Sequence, residues 1–273
     1  TITLCAVSGV FIMPNNLLNW FEIFILALST FLASAGSSAF NQYFERDLDA
    51  LMPRTSERPF VTGKLRPKTI WPIIFGSIIC AGLMLSFFIL NPFSAFYNFL
   101  GALFYGGIYT IWLKRKTPQN IVIGGVAGAL PPVIGWTIAT NAISLEPLSY
   151  FFIIFFWTPS HFWALSLYKA DDYKKAKIPM LPLTDGIEKT KVYILIYSLL
   201  MLPIIIFPYW INFSGLIYLI PALILTIYYN FICFDLYQFK KNKFNLKKAK
   251  KVFGYSILYL FLIFVLLLID SLI

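Results

Sequence analysis

The stretch Lys191-VYILIYSLLMLPIIIFPYWINFSGLIYLIPALILTIYYNFICF-Asp235 carries no charged side chain between its two ends. It holds two lengths of about 20 residues, each what a helix needs to cross the hydrocarbon of a bilayer. In lipid, helices satisfy their own backbone hydrogen bonds and so can span. We read two crossing helices here, 191–211 and 213–234. Working outward, apolar runs recur at 1–13, 20–40, 70–90, 93–113, 120–140, 148–168 and 252–272. The sequence therefore predicts an all-α integral membrane protein of nine transmembrane helices, a single multi-pass domain over residues 1–273. The first run is too short to span and opens on Thr1 instead of Met, so it reads as a helix truncated at its N-terminus. No basic segment precedes it, which argues against a signal peptide.

Composition agrees. Hydrophobic residues make up 59% of the chain and charged residues 12%, with a mean hydropathy of +0.76. A soluble protein carries roughly twice that share of charge. A disordered chain, a disulfide scaffold, a coiled coil and a secreted domain are excluded. Cys5, Cys80 and Cys233 lie far apart in apolar runs with no CxxC spacing, which suits buried thiols and no zinc or iron–sulfur site.

The net charge of +10 would suggest nucleic acid in a soluble chain. Its distribution decides otherwise. All 22 basic residues fall in four loops. Arg46 to Lys68 follow the second run, and Lys114, Arg115 and Lys116 the fourth. Lys169 to Lys191 follow the sixth, and Lys240 to Lys251 the eighth. The opposite side has no basic residue and, among acids, only Glu22, Glu146 and Asp270. Positive loops stay cytoplasmic. The C-terminus is thus expected outside, and the basic clusters need no nucleic acid to explain them. The last cluster also suits anionic lipid.

Two of these loops contain acids that topology does not require. In Asn41-Gln-Tyr-Phe-Glu45-Arg-Asp47-Leu-Asp49, a helix running past Asn41 puts Asn41, Glu45 and Asp49 on one face, with Asp47 pointing away. Two carboxylates and an amide oxygen suit a hard divalent cation, and Mg²⁺ in particular, which accepts one or two carboxylates plus substrate phosphate oxygens. Arg54 and Arg58 follow, and arginine pairs with phosphate through two donors. The other reading of this loop is a salt-bridged, solvated one. The second loop runs Tyr168-Lys-Ala-Asp171-Asp172-Tyr173, with Tyr168 and Asp172 again four apart. It lies four crossings after the first, on the same side. That suggests a parallel repeat, helices 1–4 and 5–8 plus a ninth, with a site at the repeat interface. Between the loops stands Tyr109-Thr-Ile-Trp-Leu-Lys114, whose lysine suits a phosphate or simply the positive side. Gly124-Gly125-Val-Ala-Gly128 reads as a close-packing stripe.

His161, in Trp157-Thr-Pro-Ser-His161-Phe-Trp163, is the only histidine. It falls seven residues before Tyr168, about 10 Å into the membrane. An ionisable side chain there is a functional candidate, and imidazole ligates haem iron. The other reading is a neutral imidazole bonded to a nearby carbonyl.

These motifs together resemble the UbiA-type intramembrane prenyltransferases, and within them the branch that farnesylates protohaem. The family pattern NxxxDxxxD is matched by Asn41, Glu45 and Asp49, with Glu45 for the middle Asp. The haem branch is matched by Glu45-Arg-Asp-Leu-Asp-Ala-Leu-Met-Pro-Arg54-Thr, by Asn120-Ile-Val-Ile-Gly-Gly and by Trp157-Thr-Pro-Ser-His161-Phe-Trp-Ala-Leu. Tyr168…Asp172-Tyr…Ile178-Pro-Met-Leu completes the set, and Ser160 replaces a usual proline. A Lys-Pro-Arg segment that the family carries near the start of helix 1 is missing from this sequence. The resemblance implies a UbiA-type bundle with its active site on the cytoplasmic side. It implies Mg²⁺ as cofactor, with Asn41, Glu45, Asp49 and Asp172 as metal ligands and these four with Tyr168 as catalytic residues. Arg54, Arg58, Tyr109 and Lys114 would bind the diphosphate, and His161 would contact the haem. Farnesyl diphosphate and haem B are the implied substrates, haem B not being a cofactor. The location is the inner membrane of a bacterium or its mitochondrial equivalent. There is room for a haem A synthase or oxidase-assembly partner as receiver of the product. An aromatic quinone-precursor acceptor and a helical-repeat transporter are the alternatives.

Overall fold

The computed structural model describes residues 2–13, 18–142, 144–238 and 246–273. These are all-helical and contain no strand. The helices are α1 (Ile2–Phe11), α2 (Trp20–Phe44), α3 (Arg46–Asp49), α4 (Ile70–Leu85), α5 (Pro92–Ala102), α6 (Asn120–Ala129) and α7 (Pro131–Thr140). They continue with α8 (Glu146–Tyr168), α9 (Ala170–Lys175), α10 (Leu181–Thr184), α11 (Ile187–Trp210), α12 (Leu216–Tyr237) and α13 (Leu246–Ser271). α4 continues as a π turn, Ser86–Leu90, and α5 as an 11-residue π stretch, Leu103–Leu113.

Among the described residues, seven helical segments are long and apolar enough to cross a membrane: 20–44, 70–90, 120–140, 146–168, 187–210, 216–237 and 246–271. The first expected crossing is the short α1. The fourth is α5 with its π extension. In the fifth, Pro131 and Pro132 divide α6 from α7, because proline supplies no N–H to the preceding turn. The last helix begins earlier than expected. Leu246–Lys251, read as loop, forms the first turns of α13, where Lys248 bonds the Asp235 carboxylate at 2.5 Å. Lys240, Lys241 and Lys243 lie outside the described residues.

Two of the three acids on the side without basic residues, Glu22 and Asp270, act as caps. Glu22 and Asn19 form a reciprocal capping box at the start of α2, both bonds 2.9 Å. Asp270 accepts from the backbone N–H of Gly215 (2.6 Å) and Tyr218 (3.0 Å), at the start of α12. A carboxylate satisfies orphan donors there and complements the helix dipole.

The chain forms two compact units. One comprises Thr1–Ile143 with Asp171–Ile178, the other Ser144–Ala170 with Pro179–Ile273. This differs from the expected division into helices 1–4 and 5–8, because the fifth apolar segment belongs to the first unit. The reason is a glycine seam. A Cβ on Gly135 would stand 1.9 Å from the Ala6 carbonyl oxygen, and one on Gly9 would stand 2.3 Å from that of Pro132. Backbone meets backbone, as small residues permit in membranes. Ala6, Val10, Leu26, Ile134 and Ile138 form the core beside the seam. In the second unit α8, α11, α12 and α13 close a ring, each packing on the next.

Candidate active site

The site is built on the end of α2. Helix α2 stops at Phe44, yet the i→i−4 bonds run on: Glu45 N–H to Asn41 O (2.9 Å) and Asp49 N–H to Glu45 O (2.8 Å). Asn41, Glu45 and Asp49 therefore stay on one face. All three are buried, Glu45 completely, whereas Arg46 and Asp47 between them are exposed.

Each of the three has a partner within the first unit. Asn41 Nδ2 donates to Thr110 Oγ1 at 3.0 Å, and that hydroxyl donates to Tyr105 O at 2.7 Å. This order fixes the amide, so Asn41 Oδ1 is the atom left for a ligand. Lys114 Nζ bonds Glu45 Oε2. Arg58 bonds Asp49 Oδ2 at 2.6 Å. Glu45 Oε1 is buried without any partner among the described residues. A buried carboxylate oxygen with no hydrogen bond is costly, and it marks where a cation or a donor would bind.

Thr110 lies in the π stretch and Lys114 caps its end. Its register carries the Thr110 hydroxyl to the carbonyl five residues back, and the Lys114 N–H bonds Tyr109 O, also five back. π segments are uncommon and are frequent at functional sites. Tyr109 stacks on Tyr105 with ring centroids 5.8 Å apart, and Lys114 Nζ stands 5.6 Å from the Tyr109 ring. Gly124 makes room for that ring, since a Cβ there would lie 2.6 Å from Tyr109 Cδ2.

Asp47 turns away, as expected, and forms a two-pronged bond with Arg115, 2.8 and 2.9 Å. Partial burial acts to raise its pKa, but the guanidinium outweighs this and holds the carboxyl below the usual carboxylate range. Arg115 also stands 5.4 Å from the Phe44 ring. It anchors the end of α2. Arg54 is exposed.

Asp171–Ile178 belongs to the same unit as the first loop. Asp172 is half-buried in the first turn of α9. Tyr168 ends α8 in the second unit, and Lys169 (φ −109°, ψ 20°) breaks the helix between them, so the spacing of four does not place them on one continuous helix. Tyr168 packs edge-on against Phe253, 5.6 Å between centroids, with Lys250 Nζ 5.7 Å from its ring. Among the described residues no group of three or more His, Cys, Asp or Glu side chains could hold one ion. A cation bound here would depend on substrate oxygens to complete its shell. The donor set fits that case: hard oxygens only, with Glu45 Oε1 unpartnered.

His161 lies in the second unit. Its Nδ1 is 2.7 Å from Ser256 Oγ, and its ring stacks near-parallel on Trp157 (4.2 Å) and Phe253 (4.6 Å). The expected alternative, a bond to a carbonyl, is not what holds it.

Thr110, Arg115, Ser256 and Phe253 were not singled out from sequence. Thr110 stands four residues before Lys114, a spacing that hints at a shared face. The others have no local signal.

The family model of the UbiA prenyltransferase family matches residues 2–257. The chain is 60% identical to the protoheme IX farnesyltransferase of Pelagibacter ubique (strain HTCC1062), over 98% of this chain and 87% of that protein. It is 42% identical to the protoheme IX farnesyltransferase of Neorickettsia sennetsu, over 92% and 81%. Among solved structures it resembles a digeranylgeranylglyceryl phosphate synthase (TM-score 0.83, 17% identity, 99% of this chain and 92% of that one). It also resembles a UbiA homologue from Archaeoglobus fulgidus bound to DMAPP and Mg²⁺ (TM-score 0.65, 17% identity, 97% and 94%). These two share the fold.

Proposed function

The chain belongs to the UbiA prenyltransferase family, and from that membership we propose that it transfers the farnesyl group of farnesyl diphosphate to a vinyl group of protohaem IX, giving haem O. The relatives carry that activity by name. The observation that carries the site is the buried face Asn41–Glu45–Asp49, with one oxygen of Glu45 left without a partner.

Asn41, Glu45, Asp49 and Asp172 would hold Mg²⁺, which when bound would offset the charge of the diphosphate and favour its departure. Lys114 and Arg58 now neutralise Glu45 and Asp49. When the diphosphate enters, these two cations turn to its oxygens and free the carboxylates. Arg54, exposed at the loop surface, meets the diphosphate first. Tyr109 and Tyr168 donate hydrogen bonds to it. Preorganised charge of this kind lowers the barrier to leaving-group departure. The C–O bond of the allylic diphosphate breaks, the vinyl π electrons close the new C–C bond, and water adds to the resulting cation with loss of a proton. His161 contacts the haem.

The protein crosses the bacterial inner membrane nine times as one working domain. Its active site faces the cytoplasm and its C-terminus the other side. A haem A synthase or oxidase-assembly protein receives the product.

The test is purified protein in detergent with haem B, farnesyl diphosphate and Mg²⁺, followed by chromatography with mass detection. Haem O that disappears with EDTA and falls steeply in Asp49→Asn is the expected result. Unchanged haem alongside a prenylated phenolic acceptor would reject the acceptor assignment. No transfer to either acceptor would reject the enzyme.

A further inference from the structure

His161 is held by residues of its own unit on three sides. Trp157, one turn earlier in α8, lies near-parallel at 4.2 Å and Phe253 of α13 at 4.6 Å. Two rings so close and so parallel cannot share one face of an imidazole, so both faces are covered. The third side is Ser256. Its Oγ stands 2.7 Å from His161 Nδ1 and 2.6 Å from the Phe253 carbonyl oxygen. Its own carbonyl accepts from Trp157 Nε1 at 2.8 Å. One residue of α13 thus pins both the imidazole and the indole stacked on it.

The hydrogens can be assigned from this geometry. A carbonyl oxygen accepts and cannot donate, so the single hydroxyl hydrogen of Ser256 goes to Phe253 O. Ser256 Oγ then accepts, and His161 Nδ1 carries the ring hydrogen. Nε2 is left with its lone pair and forms no hydrogen bond among the described residues. Histidines that ligate metals have this arrangement, one nitrogen donating to a neighbour while the other faces the metal.

Resting on the haem-farnesylating reading above, we infer that Ser256 fixes His161 in its Nδ1–H tautomer and that Nε2 is an axial ligand to the iron of the haem substrate. Ser256 is a positioning residue: it acts on the haem through His161. With both ring faces covered, the Nε2 edge is the approach left, and the macrocycle lies across that edge. Its stacked neighbours keep the ring from rotating. An axial bond anchors the centre of a large apolar substrate that the surrounding apolar side chains would otherwise let slide. The Ser256 hydrogen bond also raises the basicity of the ligand nitrogen.

His161 is the only histidine in the chain, which permits a test without mutation. The protein, purified through a tag that lacks histidine, is loaded with ferrous haem B and examined by resonance Raman spectroscopy. An iron–histidine stretch that shifts to lower frequency on ¹⁵N-histidine labelling is expected. It should be lost in His161→Ala and restored by added imidazole. Ser256→Ala should keep the band but shift it, with haem affinity falling about tenfold or more. Haem that binds and is farnesylated without a label-sensitive band would overturn the ligand assignment and leave the proposed activity standing. A Ser256→Ala band identical to wild type would overturn the positioning role. Wild-type protein that binds no haem, while prenylating a phenol, would reject the underlying reading instead.

Discussion

Lys114 and Glu45 form an ion pair in which the carboxylate is completely buried and its second oxygen has no partner. Removing one member of such a pair strands a buried charge, which costs roughly 3–5 kcal/mol. Lys114→Met should therefore lower the unfolding temperature in detergent sharply. The double variant Lys114→Met/Glu45→Gln should regain most of that loss yet stay inactive. If the double variant also recovers activity, the pair is structural only.

Asp49 is buried against Arg58 at 2.6 Å. Asp49→Asn should retain the fold and lower turnover on the order of 100-fold, the usual scale for losing one preorganised electrostatic contact. Its requirement for Mg²⁺ should rise, read as activity against metal concentration. Chelation should abolish turnover in the wild type, and added Mg²⁺ should restore it.

Asp47 offers the contrast. Its side chain is 58% exposed and paired with Arg115, so the pair is worth less than about 1 kcal/mol. Its pKa lies below the ordinary value. The pair's contribution is thus fully present above about pH 4, where the unfolded group would ionise, and fades as pH falls through the lower folded value. Asp47→Asn should cost little stability at pH 7 and nothing in strong acid. Turnover should stay within about twofold of wild type. A loss comparable to Asp49→Asn would contradict the assignment of the three-residue face.

Gly124 lies under the Tyr109 ring. A methyl group there must displace a ring that is stacked on Tyr105 and lies beside Lys114. Gly124→Ala should raise KM for farnesyl diphosphate several-fold. Gly128→Ala, where a Cβ meets nothing within 4 Å, should leave it unchanged. Steady-state kinetics on the pair decides the point.

Gly135 has no such latitude, because its Cβ would meet backbone. Gly135→Ala should fail to yield folded protein, as judged by monodisperse elution in detergent.

The crossing helices and the first acidic face were legible because both are local. An apolar run of bilayer length declares itself, and a spacing of four survives the small break after Phe44 through the continuing backbone bonds. Tyr168 and Asp172 show the limit of the same rule, since Lys169 ends the helix they were read on. Thr110, Arg115 and Ser256 escaped because their partners are distant in sequence: Asn41, Asp47 and His161. The π winding of Leu103–Leu113 escaped as well, because an apolar stretch looks the same at either pitch. The grouping of the fifth segment with the first unit depends on two glycines meeting carbonyls, which spacing does not reveal.

The π stretch also bears on how such a sequence can drift. Loops normally absorb insertions and deletions at little cost. Between Thr110 and Lys114 the opposite holds. Deleting one residue would let the segment rewind as an ordinary helix, and the rewinding would largely offset the missing residue's share of a turn. What would be lost is the register that bonds the Thr110 hydroxyl to Tyr105 O and the Lys114 N–H to Tyr109 O. Length in this segment is therefore under tighter constraint than identity, and related chains should vary its lipid-facing side chains freely while keeping its residue count.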